Sequence, residues 1–518
     1  MSLVLTRDRV VGETRSAHPP ARGSDALLIG ILAAIISGLA ANRPSMWFDE
    51  AATISASANR SLAQLWHLLA HVDAVHGLYY LFMHGWFAVF PATEFWSRLP
   101  SCLAVGVGAA GVVTLTRQFT TRRVAVCAGV LFAVLPRMTW AGIEARSYAF
   151  SAMAAVWLTV LCVTAARRNT LPVWLGYGLA IVVSTVLNTF TVLVIVAHAV
   201  LIRVSGYGRP VTLRWAGATG GALAVLAPFL LFSRSQIGQV GWIHPLNSHT
   251  VTEIVLQQYF DKSVPFAVLA GVVIAAAIPA GRRRPPDGDT ARLLIVCAAW
   301  ILVPTAVTVV YSAVAKPVYY PRYLICTAPA MAIVLAVCVT TVVSGRRRTV
   351  GTIGLVALFA AVAAPNYVVT QRDRYAKEGW DYSLVADAVE THAAPGDCLL
   401  VDNTTGWAPG PIRALPAGRP GAFAGLVDPG RGPRGPALGR LWDGHIAVWA
   451  QADRFDTCTT IWTITAHDPT LPAHQAGAAL SPGPRFGRTP DGQVLHRLGF
   501  RVVERWQFTF AQVVKSTR

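Results

Sequence analysis

Up to about residue 370 the chain is a succession of apolar runs separated by short polar loops; beyond it, charges and turn residues return. Runs of about 17 to 25 apolar residues read as membrane-spanning helices, because that length crosses the hydrocarbon core of a bilayer. Eleven are predicted, near 25–41, 99–116, 124–142, 147–166, 171–186, 188–202, 214–233, 264–280, 292–311, 321–344 and 349–369. Pro136, Pro228, Pro304 and Pro329 fall inside them, which membrane helices tolerate when neighbours satisfy the freed backbone groups. Asn188 and Thr189 predict a tight turn within Leu171–Ile202 rather than one long helix. Gly77–Phe90 is apolar but short and lacks a basic flank, so it predicts a helix lying at the outer interface, with Tyr79, Tyr80 and Trp86 at headgroup level.

Charge orients these elements. Arg7, Arg9, Arg15 and Arg22 precede the first run, and further clusters are Arg117/Arg122/Arg123, Arg167/Arg168, Arg203/Arg209/Arg214, Arg282/Arg283/Arg284/Arg292 and Arg346/Arg347/Arg348. They hold 19 of the 44 basic residues, all on alternate loops; the opposite loops hold nine (Arg43, Arg60, Arg98, Arg137, Arg146, Arg234, Lys262, Lys316, Arg322). By the positive-inside rule the 1–24 arm is cytoplasmic, and an odd number of spans puts the tail outside. The expected organisation is a cytoplasmic arm (1–24), an α-helical polytopic membrane domain (25–370) with a long outer loop at 42–98, and an extracytoplasmic tail (371–518). The polar arm and the lack of a small-residue cleavage site argue for a first run that anchors rather than a cleaved signal.

Composition agrees. Charged residues are 14% of the chain, where a soluble domain has about a quarter, and mean hydropathy is +0.48. The net charge of +18 does not call for nucleic acid: the tail is nearly balanced, with 16 basic and 14 acidic residues, and the excess lies in loops facing anionic headgroups. Membrane lipids are the expected partners of that charge.

Only seven acids fall on outer loops of the membrane part: Asp49, Glu50, Asp73, Glu94, Glu144, Glu253 and Asp261. Asp49-Glu50 follows Trp47-Phe48, where burying two carboxylates demands a partner, proton chemistry or a metal; alternatively the pair caps a helix starting near Ala51. Glu144 and Arg146 read as catalytic groups or as an interfacial ion pair. In Lys316-Pro-Val-Tyr319-Tyr320-Pro-Arg322-Tyr323 the cations either snorkel or bind a phosphate, for which a guanidinium fork is suited. His76 and His84 flank and enter the short helix. Six cysteines lie in apolar runs as core filler. Cys398 and Cys458 are in the tail, each at the start of a predicted strand and on the side where disulfides persist; pairing and two buried thiols both remain open.

Several motifs stand in a telling order: Trp47-Phe48-Asp49-Glu50; His76-Gly77-Leu78-Tyr79-Tyr80; Phe95-Trp96-Ser97-Arg98-Leu99-Pro100; Glu144-Ala145-Arg146-Ser147-Tyr148; and Arg322-Tyr323-Leu324 before Pro329. In this the chain resembles the GT-C glycosyltransferases that take sugar from polyprenyl-phosphate donors, in the branch of protein O-mannosyltransferases and aminoarabinose transferases. It departs where Gly77-Leu78 follow His76 in place of the family's usual prolines. The resemblance implies a GT-C membrane domain in which Asp49 deprotonates an acceptor hydroxyl. Glu50 would orient the acceptor, Arg322, Lys316, Arg146 and Arg98 would meet the donor phosphate, and His76, Tyr79, Tyr80, Glu144, Tyr148, Tyr319, Tyr320 and Tyr323 would contact substrate. Some relatives bind a divalent cation, and Asp49, Glu50 and His76 are the ligand set that Mg or Mn would find here.

The tail reads as a small α/β module: a helix over Asp381–His392, strands at Cys398–Val401, Thr459–Thr465 and within Arg501–Val514, and a Gly/Pro/Arg-rich loop over 403–440. The implied function is transfer of a sugar, mannose before arabinofuranose, from a polyprenyl-phosphate donor to a cell-envelope acceptor at the outer face of a bacterial inner membrane. The reading from another class is an envelope-lipid transporter or flippase, which should show broken polar helices near the midplane and repeated halves; no repeat is evident.

The topology is testable. An impermeant thiol reagent applied to intact cells should label cysteines introduced in 42–98 and in the tail, while labelling at 281–291 would overturn the orientation.

Overall fold

The computed structural model describes residues 23–518 apart from 344, 346, 403, 408–411 and 472–485. Most of the basic arm, Arg346 and parts of the 403–440 loop therefore lie outside the described residues. The membrane part is helical throughout. Its helices are α1 (Gly23–Gly38), α2 (Phe48–Ser57), α3 (Leu62–Leu69), α4 (Gly77–Phe87), α5 (Glu94–Arg117), α6 (Arg122–Val134), α7 (Pro136–Ala141), α8 (Tyr148–Arg168), α9 (Leu171–Leu187), α10 (Val194–Val204), α11 (Arg209–Ser235), α12 (His249–Thr252), α13 (Val264–Arg283), α14 (Gly288–Val314), α15 (Ala328–Val342) and α16 (Arg348–Pro365). Seven stretches, among the described residues, are long and apolar enough to cross a membrane: Glu94–Arg117, Tyr148–Arg168, Arg209–Ser235, Val264–Arg283, Gly288–Val314, Pro321–Val342 and Arg348–Gln371. Gly23–Gly38, Leu171–Leu187 and Thr189–Val204 are shorter apolar helices. Every predicted run thus holds a helix, but the run at 124–142 is divided. Leu135 is extended (φ −62, ψ 121) because Pro136 disfavours helical backbone in the residue before it.

The predicted turn at Asn188 is present. The Asn188 side chain accepts from Phe190 N, and Tyr177 and His198, about ten residues to either side, meet at 2.9 Å, so the chain reverses there. This contact belongs to a buried chain of hydrogen bonds whose direction is fixed. Thr159 Oγ1 donates to Ala155 O, so it accepts from His198 Nε2–H at 3.0 Å. His198 Nδ1 then accepts from Tyr177 Oη, which accepts from Trp215 Nε1. One neutral histidine with both nitrogens satisfied pins α8, α9, α10 and α11 inside an apolar bundle. Close backbone contact does the same for α1 and α5: a Cβ on Gly106 would lie 2.6 Å from Gly30 O, the small-residue packing that membrane helices favour.

Within the segment 42–98, α4 occupies the short apolar run, and the structure corrects its aromatic anchors. Tyr79 and Tyr80 are fully buried; Leu81 and Phe82 form the outward face, with Trp66 of α3 exposed nearby. Trp86 donates to Trp96 O and stacks on Phe90.

The tail adds α17 (Tyr382–His392), α18 (Ala414–Gly418), α19 (Pro490–Arg497) and strands β1 (Cys398–Val401), β2 (Thr460–Ala466), β3 (Arg501–Gln507) and β4 (Ala511–Thr517). The sheet order is β1-β2-β4-β3, with β1 parallel to β2 and the other pairs antiparallel. Alternate residues point to opposite faces. Leu399, Val401, Trp462, Ile464 and Val513 therefore share one core, and Cys398, Leu400, Ile461 and Val514 another. The first core is not the tail's alone, since Met46, Ala51 and Ile54 of the outer loop belong to it. Ile412, Ala414 and Leu415, in a segment expected to be coreless loop, are buried there too. A Cβ on Gly418 would meet the Cβ of Ala51 at 2.8 Å, so α18 rests directly on α2. Arg60 of the outer loop donates to Arg440 O and Leu441 O, joining the two parts further.

Cys398 and Cys458 are paired, with Cα atoms 5.9 Å apart and a sequence separation of 60. Closing such a loop stabilises a module by roughly 2–4 kcal/mol. Mass spectrometry of non-reduced digests should recover the Cys398–Cys458 cross-linked peptide, and reduction should lower the unfolding temperature of the tail. Two free thiols in the native protein would overturn the pairing.

Candidate active site

Helix α2 starts directly after Trp47, which is extended (φ −137, ψ 178), so Asp49 and Glu50 occupy its first turn. Consecutive helical residues project about 100° apart, and the two carboxylates part accordingly. Glu50 turns inward to Arg98, and neither side chain has any exposed surface. All five N–H groups of Arg98 are committed. Nε and Nη2 each reach a Glu50 oxygen at 2.7 Å, Nη1 donates to Ala41 O and Pro44 O, and Nη2 also donates to Ser45 O.

Lys377, from the tail, completes this buried cluster. Its ammonium forms ion pairs with Glu50 at 2.8 Å and Glu144 at 3.0 Å and donates to Ile143 O. The backbone delivering it is left-handed at three successive residues, Lys377, Glu378 and Gly379 (φ +61, +66 and +91), a conformation costly for the two that are not glycine. Glu144 accepts from Trp47 Nε1 at 2.9 Å on its other oxygen. Two acids and two cations thus balance. Burial raises the Glu50 carboxyl, but Arg98 and Lys377 outweigh it and hold Glu50 well below its usual range. At Glu144 burial wins over Lys377 and the carboxyl is pushed up.

Asp49 faces the other way. Its Oδ1 is 3.1 Å from Arg146 Nη2 and its Oδ2 is 3.4 Å from Arg322 Nη2, with 13% of the side chain exposed. Burial raises its carboxyl, yet Arg146, Arg322 and His76 together keep it below the usual range. Arg322 has rings on several sides: its guanidinium carbon lies 4.7 Å from the Tyr320 ring, 5.0 Å from Trp47, 5.5 Å from Trp242 and 5.9 Å from Tyr148. Its buried Nε has no hydrogen-bond partner among the described residues. Trp47 and Arg322 form one wall of a cleft of about 650 Å³, measured to its open mouth, which Trp140, Lys377 and the ion pairs Arg137–Asp261 and Lys262–Glu378 also line.

The predicted site residues therefore divide. Asp49, Arg146, Arg322, Tyr148, Tyr320 and Tyr323 come together, with Tyr323 stacked between Phe190 and Tyr148. His76 tilts against Tyr80, and burial beside Arg146 lowers it to about 4, so it is neutral at pH 7. Others are corrected. Glu50 has no surface to orient an acceptor, and Arg98 has no donor left for a phosphate. Glu144 is enclosed by Trp47 and Lys377, and Tyr79 packs on Phe82 and Phe150. Tyr80 Oη is enclosed between Asp73 and Arg146. Tyr319 Oη bonds Gln258, and Lys316 donates to Ile237 O and lies outside the cleft wall. His84 meets Ser57 O.

Asp49, Glu50 and His76 do not fit a metal. The two carboxylates diverge toward separate cations, and no three His, Cys, Asp or Glu side chains converge among the described residues. Lys377 and Trp242 are the site residues that residue chemistry alone does not mark; for Lys377 the one local signal is the turn-prone Lys-Glu-Gly-Trp run at 377–380.

Residues 77–232, less than half of the chain, match the family model of dolichyl-phosphate-mannose-protein mannosyltransferase. The crystal structure of ArnT from Cupriavidus metallidurans in the apo state aligns with a TM-score of 0.53 at 12% identity, over 94% of this chain and 97% of that one. An oligosaccharyltransferase from Archaeoglobus fulgidus, in complex with Zn and sulfate, aligns with a TM-score of 0.41 at 11% identity, over 84% of this chain and 67% of that one. No curated protein matches the sequence. The chain has the GT-C glycosyltransferase fold, with a small C-terminal sheet domain.

Removing one member of a buried ion pair strands the other, at about 3–5 kcal/mol. Arg98→Met and Glu50→Leu should each destabilise the purified protein by that order in thermal unfolding. The double variant should lose less than the sum, because Lys377 and Glu144 still balance. Additive losses would show that the two do not act as a pair.

Proposed function

We propose that the protein is a membrane glycosyltransferase that moves a sugar from a polyprenyl-phosphate donor to a hydroxyl of a cell-envelope acceptor. The carrying observation is Asp49 clamped between Arg146 and Arg322, with Arg322 also forming the wall of a cleft lined by aromatic rings and charged side chains. A carboxylate kept ionised is suited to receive a hydroxyl proton, and guanidiniums are suited to a phosphate.

In this reading the acceptor O–H gives its proton to Asp49 as its oxygen attacks the anomeric carbon. The bond from that carbon to the phosphate oxygen breaks, and the charge growing on the leaving lipid phosphate is met by Arg322. A single displacement of this kind inverts the anomeric centre. The cleft rings Trp47 and Tyr320 offer apolar faces to a sugar. Mannose is the proposed sugar, in line with the family model matched over 77–232. The alternating basic loops support a cytoplasmic arm and an external tail in a bacterial inner membrane.

Asp49→Asn keeps the shape of the side chain but cannot take the proton, so transfer should fall by roughly 100-fold or more with the fold intact. Arg322→Ala should raise the donor KM and lower kcat/KM. Arg43→Ala is the control, because Arg43 is exposed, whereas Arg60 holds tail carbonyls. Near-normal turnover by Asp49→Asn in a polyprenyl-phosphate-mannose assay would remove Asp49 as base, and equal effects of the two arginine variants would remove Arg322 from the phosphate.

A further inference from the structure

The clamp on Asp49 raises the question of what holds Arg146. Arginine has many rotamers, and a guanidinium bonded only to one carboxylate edge would sample several of them. Here Arg146 has 6% of its side chain exposed, and its second nitrogen, Nη1, is 2.7 Å from Tyr80 Oη. Tyr80 is fully buried, and its Oη lies 2.7 Å from Asp73 Oδ2. A carboxylate can only accept, so the phenol O–H donates to Asp73 and its lone pairs face Arg146. The sequence of donation therefore runs one way, from Arg146 to Tyr80 to Asp73. The far end is fixed as well. Asp73 is 8% exposed and left-handed (φ +60), and its backbone N–H is held by the Gln239 side chain at 3.1 Å. The adjacent Ala74 N–H is held by Gln236.

We infer that Asp73 and Tyr80 are positioning residues: they fix the guanidinium of Arg146 so that Nη2 is presented to Asp49. Neither touches Asp49 directly, so they act through Arg146. The inference rests on the glycosyltransferase reading for its effect on rate, though the placement itself does not. The charged and titratable groups facing Asp49 are Arg146 from the turn before α8, Arg322 and Tyr323 from the segment before α15, His76 before α4, and Tyr148 at the start of α8.

Tyr80→Phe removes the link while keeping the ring. Released from Tyr80, Arg146 stabilises the Asp49 carboxylate less, so that carboxyl titrates at higher pH. The acidic limb of kcat/KM should move upward, and kcat/KM at neutral pH should fall roughly 10- to 100-fold, the loss of a hydrogen bond to a charged group. Asp73→Asn keeps an accepting oxygen and should lose less, in the same direction. A merely structural role would lower activity equally at every pH. Should Tyr80→Phe not fold, as judged by its unfolding temperature, Asp73→Asn carries the test. Carbodiimide modification of Asp49 against pH, read by mass spectrometry, follows the protonated carboxyl without turnover. If the wild-type chain transfers no sugar, the proposed function fails, and an upward shift of the labelling profile in the variants still supports the placement. Variants that keep both the wild-type limb and the wild-type labelling profile overturn the inference.

Discussion

The bidentate contact between Arg98 and Glu50 is the constraint on which the segment 42–98 and its seat against the tail depend. A guanidinium with no exposed surface must place all of its donors, and here it does so on one carboxylate and on three backbone carbonyls of the segment leading out of α1. The path of residues 41–45, the start of α2 and the tilt of α5 are thereby tied to one point. An ion pair of this kind gives little net stability over apolar residues of the same volume. What it gives is a single geometry, because any slip of α2 strands a charge.

That geometry separates two adjacent acids into different chemistry. Glu50 is turned in and neutralised by Arg98 and Lys377; Asp49 is turned out and meets Arg146 and Arg322, of which Arg322 also lines the cleft. The same helix turn thus carries a buried anchor and, in the proposed function, the working carboxylate, whose placement derives from the immobility of the anchor.

Much of this was legible in the chain. Helix positions followed from apolar run length, the break at Asn188 from its polarity, and the tail strands from β-branched runs. The division at Pro136 was not foreseen, because proline inside a membrane run is compatible with either a kink or a break. The segment 403–440 read as coreless because its apolar residues are few; Ile412, Ala414 and Leu415 are nevertheless buried, since their partners are residues of the outer loop far away in sequence. The site was legible as far as residue chemistry carries. Asp49 beside aromatics, with arginines on neighbouring outer loops, marks a candidate. Which of two adjacent acids turns inward depends on the direction of Arg98, and the role of a lysine from the tail depends on a left-handed turn. Neither leaves a local trace in composition.

The shared core has a consequence for the making of the protein. Met46 N bonds the Ser383 hydroxyl across 337 residues of chain, and Lys377 closes on Glu50 over a similar span. Ribosomes add about 5–20 residues per second, so the first outer loop waits roughly tens of seconds after synthesis for the partners that complete its burial. During that interval Glu50 and Met46 have no tail to meet, and the acid cluster lacks its second cation. A chain interrupted before residue 377 is therefore incomplete within 42–98 as well as at its end, because Glu50 there lacks Lys377 and Met46 lacks Ser383.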